Sequence, residues 1–180
     1  MEEKLQENLK EASVRSDFPK DNFEESLRVA QAIEDHNSGN PLPPQEVAIA
    51  LERSPGSSAF RILLSSSIKY GLTTGSFNSP RIAITDLAKD IVEPKDEESR
   101  KAATGSSVLK PELFSKVFDY YKGKKVPDKS FFANTLVRDF GIPKKQADIF
   151  VEIFMANIKY LGLIKDTTTG PWFSTEIHLS

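Results

Sequence analysis

Apolar residues recur with the period of a helix along most of the chain, and helix-breaking residues divide this pattern into segments. Asn22, with Glu25 three residues later, predicts a capped helix start. The apolar positions that follow lie on one face of that helix and comprise Phe23, Leu27, Ala30 and Ile33. The run ends in the breaker-rich stretch HNSGNPLPP, and a short second helix is predicted after it, with its inward face formed by Val47, Ala48 and Leu51.

A third helix is predicted to begin with Ser54 as its N-cap and Pro55 as its first residue, and to stop near Gly71. The period then changes, because turn residues lead into the strand-forming stretch RIAI at residues 81–84. Thr85 is expected to cap a closing helix. Three helices, a hairpin and a closing helix follow one another in the order of a winged helix-turn-helix module.

The same order of elements recurs in the second half of the chain. A helix is predicted over PELFSKVFDYYKGK, with Leu113, Val117 and either Tyr120 or Tyr121 inward. A second helix over KSFFANTLVRDFG closes at Gly141, and a third covers PKKQADIFVEIFMANIKYLGL. A hairpin is expected around the turn residues Thr169, Gly170 and Pro171.

Two short stretches, SIKYGL and NIKYLGLI, mark the end of the third helix in each half. Shifting the third helix of the first half by ninety residues places Phe60 on Phe150, Leu63 on Ile153, Leu64 on Phe154, Ile68 on Ile158 and Tyr70 on Tyr160. The predicted fold is mainly α with small β-hairpin wings, in two tandem winged helix-turn-helix modules. The predicted organisation is a flexible or weakly helical N-terminal arm (1–21), module one (22–93), a linker (94–107) and module two (108–180).

The third helix before a wing is the element that enters the major groove in DNA-binding proteins of this kind. In the first module its inward face is predicted to hold Phe60, Leu63, Leu64 and Ser67. The candidate DNA contacts on the opposite face of this helix, next to Ile62, are Ser58, Arg61, Ser65 and Lys69. Arg81, at the foot of the wing, is a further candidate. The alternative is a solvated helix face, because serines and lysines suit water equally well.

The third helix of the second module predicts a different role. Its outward positions are expected to be Asp148, Val151, Met155 and Lys159, with Glu152 alongside. Acidic side chains repel the phosphates of DNA, and apolar side chains would bury little apolar area in the major groove. Val151 and Met155 are therefore the candidate protein-interaction residues, which pack on the first module, another subunit or a further domain.

Lysines cluster around the second module at Lys122, Lys124, Lys125, Lys129, Lys144 and Lys145. They are either contacts to backbone phosphate or solvated loop residues. Trp172 and Phe173 in the second wing either stack on a base or fold onto the core of their own module.

The amino-acid composition argues against several classes of function. The formal net charge of −2 gives no general attraction to nucleic acid or anionic membrane, and the absence of cysteine excludes disulfides and thiolate metal sites. No apolar run approaches the ~20 residues of a membrane span, so a cytoplasmic protein is expected. His36 and His178 have no partner nearby in sequence, and no nucleotide-binding or catalytic motif occurs. We expect no enzyme activity, no cofactor and no metal.

Four stretches together resemble a prokaryotic family of unknown function: SLRVAQAIEDH, PLPPQEVAIALERSPGSSAFRILLSSSIKYGLTTG, RIAITDLAKDIVEP and LVRDFGIPKKQADIFVEIFMANIKYLGLI. The resemblance spans roughly residues 23–165. In that family a tandem winged-helix region sometimes precedes effector domains such as TIR-like ones. The resemblance implies a winged-helix fold and a regulatory or sensing role, with defence systems as one setting. No effector domain is expected within these 180 residues, which is a departure from the family pattern.

The leading interpretation is a non-enzymatic regulatory protein that binds double-stranded DNA through the first module and uses the second for packing or protein interaction. The alternative is a protein-interaction or scaffold module, including the N-terminal sensor part of a larger prokaryotic defence effector. The partners left open are DNA, another protein or a downstream domain, and a second copy of the chain. No membrane partner is expected. The sequence is compatible with a piece of a longer protein and with a complete small protein.

Overall fold

The computed structural model describes the backbone of residues 1–175 and the side chains of residues 1–10 and 16–175. The C-terminal residues Glu176–Ser180, which include His178, lie outside the described part. Within residues 1–175 the chain is mainly helical, with two small antiparallel hairpins. No helix in this range is long and apolar enough to cross a bilayer.

The helices are α1 (Glu2–Arg15), α2 (Phe23–Asn37), α3 (Pro44–Ala50), α4 (Ser58–Lys69), α5 (Asp86–Val92), α6 (Glu97–Val108), α7 (Glu112–Tyr121), α8 (Lys129–Phe140) and α9 (Lys144–Tyr160). The hairpins are formed by β1 (Thr73–Thr74) with β2 (Ala83–Ile84), and by β3 (Ile164–Thr167) with β4 (Gly170–Phe173). An antiparallel bridge adds a neighbouring segment to each hairpin, through Leu42 to Ile82 and through Lys125 to Trp172.

Several helix ends are where the sequence predicts them. The Asn22 side chain accepts a hydrogen bond from the backbone N–H of Glu25, and Thr85 caps α5 through the N–H of Ala88. Gly141 ends α8 with φ of 67°, in the left-handed region that glycine tolerates best. Local capping chemistry therefore sets these boundaries.

The predicted start of α4 is wrong by one turn. Ser57, not Ser54, is the N-cap, and its Oγ accepts a hydrogen bond from the N–H of Phe60. Pro55 and Gly56 lie in a reverse turn closed by a hydrogen bond from the N–H of Ser57 to the carbonyl of Ser54. Proline has the same φ in a turn as at the start of a helix, so the sequence alone does not separate the two.

Two clusters of buried side chains form the core. The smaller cluster lies among α2, α3, α4 and the β1–β2 hairpin and includes Val29, Ile33, Val47, Phe60 and Ile82. The larger cluster is built by α7, α8, α9 and the β3–β4 hairpin, and it also takes in Phe18, Phe23 and Tyr70 from the first half. The two halves of the chain therefore share one of their cores.

The segment predicted as a linker, residues 94–107, is largely helical. Asp96 caps α6 by accepting a hydrogen bond from the N–H of Ser99, and the helix buries Ala103, Ser107 and Val108. Small residues form this buried face, so the sequence shows no large-hydrophobic period there. The N-terminal arm is also helical, as α1, and the side chains of residues 1–10 are exposed.

Candidate nucleic-acid interface

The inward and outward faces of helix α4 are those that the sequence predicts. The four predicted core residues, Phe60, Leu63, Leu64 and Ser67, are buried. On the other side Ser58, Arg61 and Ser65 are exposed, and Lys69 is partly exposed at the end of the helix. Three of the candidate contacts on α4 are therefore accessible to a ligand.

The guanidinium of Arg61 connects this face with the tip of the β1–β2 hairpin. Its Cζ atom lies 3.9 Å from the centroid of the Phe77 ring. A cation over an exposed aromatic ring gains roughly 0.5–1 kcal/mol, which is enough to favour one orientation of a long side chain. Arg61 is exposed in this position, so the same group remains available to an anion.

Arg81 lies where the hairpin returns toward β2. Its Nη1 donates a hydrogen bond to the carbonyl oxygen of Pro41 at 3.3 Å, and the side chain is exposed. Gly75, with φ of +98°, lies opposite, and a Cβ at that position would come within 2.5 Å of the Arg81 carbonyl oxygen. The glycine therefore permits the close approach that sets the shape of the hairpin tip.

Lys69 forms an ion pair with another residue of the same chain. Its Nζ lies 3.0 Å from Oδ1 of Asp17, in the connection between α1 and α2. Lys20 is nearby, donates a hydrogen bond to the Ser16 carbonyl and lies over the ring of Phe18. Burial and, to a lesser extent, the positive charge of Lys69 lower the pKa of Lys20 to about 8, against the opposing effect of Asp17. Much of the charge of Lys69 is thus already balanced.

Exposed apolar side chains accompany the polar ones on α4 and also occur on α3. Ile49 on α3 is 69% exposed, and Ile62 and Ile68 on α4 are 43% and 41% exposed. Isolated apolar residues are normal on a protein surface. Ile62 and Ile68 nevertheless make the exposed surface of α4 partly apolar.

In the second half, the prediction that Val151 faces outward is wrong. Val151 is 5% exposed and belongs to the larger core cluster, whereas Met155 is partly exposed. Both line a groove of about 490 Å³ between the start of α8 and α9, together with Val126, Pro127 and Phe132. The nearly continuous apolar sequence of α9 predicts burial on both sides, and this is wrong. The buried residues lie on one continuous side of the helix, and Ile149, Glu152 and Tyr160 on the opposite side are exposed.

The shift of ninety residues does not describe the junction between helix and hairpin. Ile68 is 41% exposed but Ile158 is 0% exposed, and Tyr70 is 0% exposed but Tyr160 is 40% exposed. The equivalent positions are Gly71 and Gly162, 91 residues apart, with φ of 71° and 70°. In each case the next N–H donates back to a carbonyl near the helix end, from Leu72 to Ser67 and from Leu163 to Ile158.

This spacing changes the comparison of the two helices. The residues of α9 that correspond to Ser58, Arg61, Ser65 and Lys69 are Ile149, Glu152, Ala156 and Tyr160. Glu152 is also paired with Lys129, at 3.1 Å between Nζ and Oε1. The corresponding face of α9 carries no cation at these positions, so its chemistry differs from that of α4.

A buried polar network joins the halves, and the sequence analysis missed it. Oδ1 of Asn157 accepts from the N–H of Phe23 at 2.8 Å, and its Nδ2 donates to the hydroxyl of Tyr70 at 2.9 Å. That hydroxyl donates to the carbonyl of Asp21. Burial raises the pKa of Tyr70, which keeps it a neutral donor. The signal in the sequence was a lone asparagine within an apolar helix.

The lysines of the second half are in several environments. Lys122 pairs with Asp119 at 3.2 Å, and Nζ of Lys124 lies 3.9 Å from the centroid of the Tyr120 ring. Lys144 and Lys145 are exposed at the start of α9. Of the two aromatic residues in the second hairpin, Phe173 is buried in the core and Trp172 is partly exposed.

Among the described side chains, those of residues 1–10 and 16–175, no group of three or more histidine or acidic residues could hold a metal ion. His36 is exposed near the end of α2. The comparisons with known proteins find no matching family model, no matching curated protein and no matching solved structure.

Proposed function

We propose that this chain is a non-enzymatic winged-helix protein with a regulatory or sensing role, and that it binds duplex DNA through α4 and the β1–β2 hairpin. The fold assignment is supported by the order of elements and by the bridge of Leu42 to Ile82. That bridge adds the connection between α2 and α3 to the hairpin as a short edge strand, as in winged-helix domains. The bridge of Lys125 to Trp172 makes the corresponding addition in the second half.

The observation that carries the DNA proposal is the contact of Arg61 with Phe77. It places a cation at the junction of the exposed helix face and the hairpin tip, where a helix lying in the major groove meets the sugar-phosphate backbone. Ser58 and Ser65 leave the helix surface low enough for close approach and offer hydroxyl groups to phosphate or base edges. Arg81 supplies a second exposed cation at the same hairpin.

The proposal is tested by titrating a fluorescently labelled duplex of mixed sequence with the full chain over a salt series from about 50 to 200 mM. We expect the logarithm of the association constant to fall linearly with the logarithm of the salt concentration. The double variant Arg61→Glu, Arg81→Glu should weaken binding about tenfold or more at the lowest salt. It should also reduce the magnitude of the salt slope by about two, because each phosphate contact contributes about one.

Lys89→Glu is the matched control, because it reverses an exposed charge on α5, which is not part of the proposed contact surface. Its affinity should stay within about twofold of the unmodified chain, since a charge that does not contact the DNA acts only through a potential that salt screens. Absence of binding at the lowest salt, or equal losses in the control and in the double variant, would contradict the proposal.

A second candidate function is supported by the exposed isoleucines of α3 and α4. Ile49 and Ile62 are exposed on neighbouring helices, and the charge of Lys69 is balanced by Asp17. This chemistry fits a protein surface better than a phosphate backbone, and a second copy of the chain is the partner that can be tested directly. If this function is correct, sedimentation should show a dimer that Ile49→Lys, Ile62→Lys converts to a monomer.

A further inference from the structure

The second hairpin carries an aromatic ring between two lysines. In the β3–β4 register Lys165 is paired with Trp172, and on the other side of β4 an antiparallel bridge joins Trp172 to Lys125. Residues directly opposite one another on neighbouring strands project to the same face of a sheet. Lys165, Trp172 and Lys125 therefore form a row across three adjacent segments, on the outer face of the hairpin.

The other face of the hairpin belongs to the core, which leaves the row to solvent. Ile164 is paired with Phe173, and Phe173 is buried in the larger cluster. Because side chains alternate along a strand, Asp166 points to the same side as Ile164 and away from Lys165. Lys125 and Lys165 are exposed, Trp172 is partly exposed, and its Nε1 donates to Oγ1 of Thr169 at 3.2 Å.

Lys165 also lines a pocket of about 500 Å³ between α6 and the end of α9. Two further cations, Arg100 and Lys101, and the ring of Tyr160 line the same pocket, and none of its lining residues is acidic. Among the side chains that the structure describes, Lys101, Lys125 and Lys165 take part in no ion pair, whereas Arg100 is paired with Glu97. The row and the pocket thus form one basic band with an aromatic side chain in each part.

We propose that this band, defined by Lys125, Trp172 and Lys165 on the hairpin and by Lys101 and Tyr160 in the pocket, binds single-stranded nucleic acid. Unpaired lysines spaced along a surface attract a polyanionic backbone, and aromatic rings between them provide stacking platforms for bases. In a duplex the bases are stacked on one another and their faces are closed to a protein ring, so a single strand is the form that uses both features. The band is separate from α4 and does not depend on the proposed duplex contact there.

Trp172 is the single tryptophan of the chain, so intrinsic fluorescence reports directly on this band. The test is a titration of the full chain with unlabelled single-stranded oligonucleotides of about ten nucleotides, a length within the range of a small binding site, as DNA and as RNA in parallel. We expect saturable quenching that weakens with salt, from at least one of the two. Lys125→Gln, Lys165→Gln should weaken binding about tenfold or more, while Lys89→Gln should leave it within about twofold.

The stacking contribution is tested with Trp172→Leu, which keeps the apolar bulk but removes the ring, using anisotropy of a labelled oligonucleotide. Binding should weaken about fivefold or more. Arg61→Glu should leave single-strand binding unchanged, so that failure of the α4 proposal and failure of this one give different results. Unaltered affinity in Trp172→Leu, or inorganic polyphosphate binding as tightly as the oligonucleotide, would overturn the assignment, as would the absence of quenching.

Discussion

At the scale of single residues, Asn157 stands out because it is the one polar side chain among the seven buried positions of α9. Its amide connects the backbone N–H of Phe23 with the hydroxyl of Tyr70, and it thereby links α9 to the start of α2 and the end of α4. A buried donor that loses its partner cannot be satisfied by water. The asparagine therefore fixes one relative position of the two halves.

We expect Asn157→Leu to lower the free energy of unfolding by about 2 kcal/mol or more, although leucine is of similar size and more apolar. The cause is the N–H of Phe23, which would remain buried without an acceptor. Urea unfolding followed by circular dichroism measures the change. Asn134→Leu is the control, because Asn134 is exposed on α8, and it should change stability by no more than about 0.5 kcal/mol. Equal effects of the two substitutions would show that the network is not important for stability.

At the scale of elements, α4 shows how a local motif with two interpretations is resolved. Ser54, Pro55 and Ser57 all belong to residue types found at helix starts, but the reverse turn at Pro55 and Gly56 delays the helix until Ser57. The turn allows Phe60 to reach the smaller core as the third residue of the helix. Packing of Phe60 thus agrees with the later start.

The cap assignment makes a simple prediction. Ser57→Ala removes the acceptor for the N–H of Phe60 and should reduce stability by about 1 kcal/mol. The matched control is Ser54→Ala, because only the backbone carbonyl of Ser54 takes part in the turn, and it should change stability by less than about 0.5 kcal/mol. Thermal or urea unfolding of both variants distinguishes the two caps. A larger loss in Ser54→Ala would contradict the position of the helix start.

At the scale of the whole molecule, the larger core belongs to both halves. Phe18 contacts Phe150 with ring centroids 5.0 Å apart, and Tyr70 stacks on Phe114 at 6.1 Å. Aromatic pairs of this kind add roughly 0.5–1.5 kcal/mol beyond the area that they bury. The second half therefore depends on side chains of the first half to complete its interior.

A chain of residues 108–180 alone should consequently fail to form a well-packed core. It lacks Phe18, Phe23 and Tyr70, so the rings of Phe114 and Phe150 are left uncovered. We expect retained far-ultraviolet helix signal, weak near-ultraviolet circular dichroism and binding of a hydrophobic dye. A control that begins at residue 11 removes only exposed side chains and should unfold with the same cooperativity as the full chain. A fragment with native-like packing would show that the halves are independent.

Local chemistry in the sequence determined much of the secondary structure. Asn22, Thr85 and Gly141 mark their helix ends because caps and left-handed glycines act through neighbours in the chain. Residues Phe60, Leu63 and Leu64 are buried as their period predicts, because a stripe of large apolar residues has one favourable environment. The mainly helical composition with two hairpins follows from the same signals.

Which positions of an apolar helix face inward, and which charged side chains form no ion pair, depends on contacts in the tertiary structure. Val151 is buried although a shift of ninety residues places it outward, because the two helix–hairpin junctions are 91 residues apart and Val151 therefore corresponds to the buried Phe60. Helix α6 buries small residues that show no period, since their partners come from distant segments. Lys69 forms an ion pair with Asp17. Lys165 is paired with Trp172 across the hairpin and also lines the pocket. These contacts join segments that are apart in the chain, so local sequence patterns do not encode them.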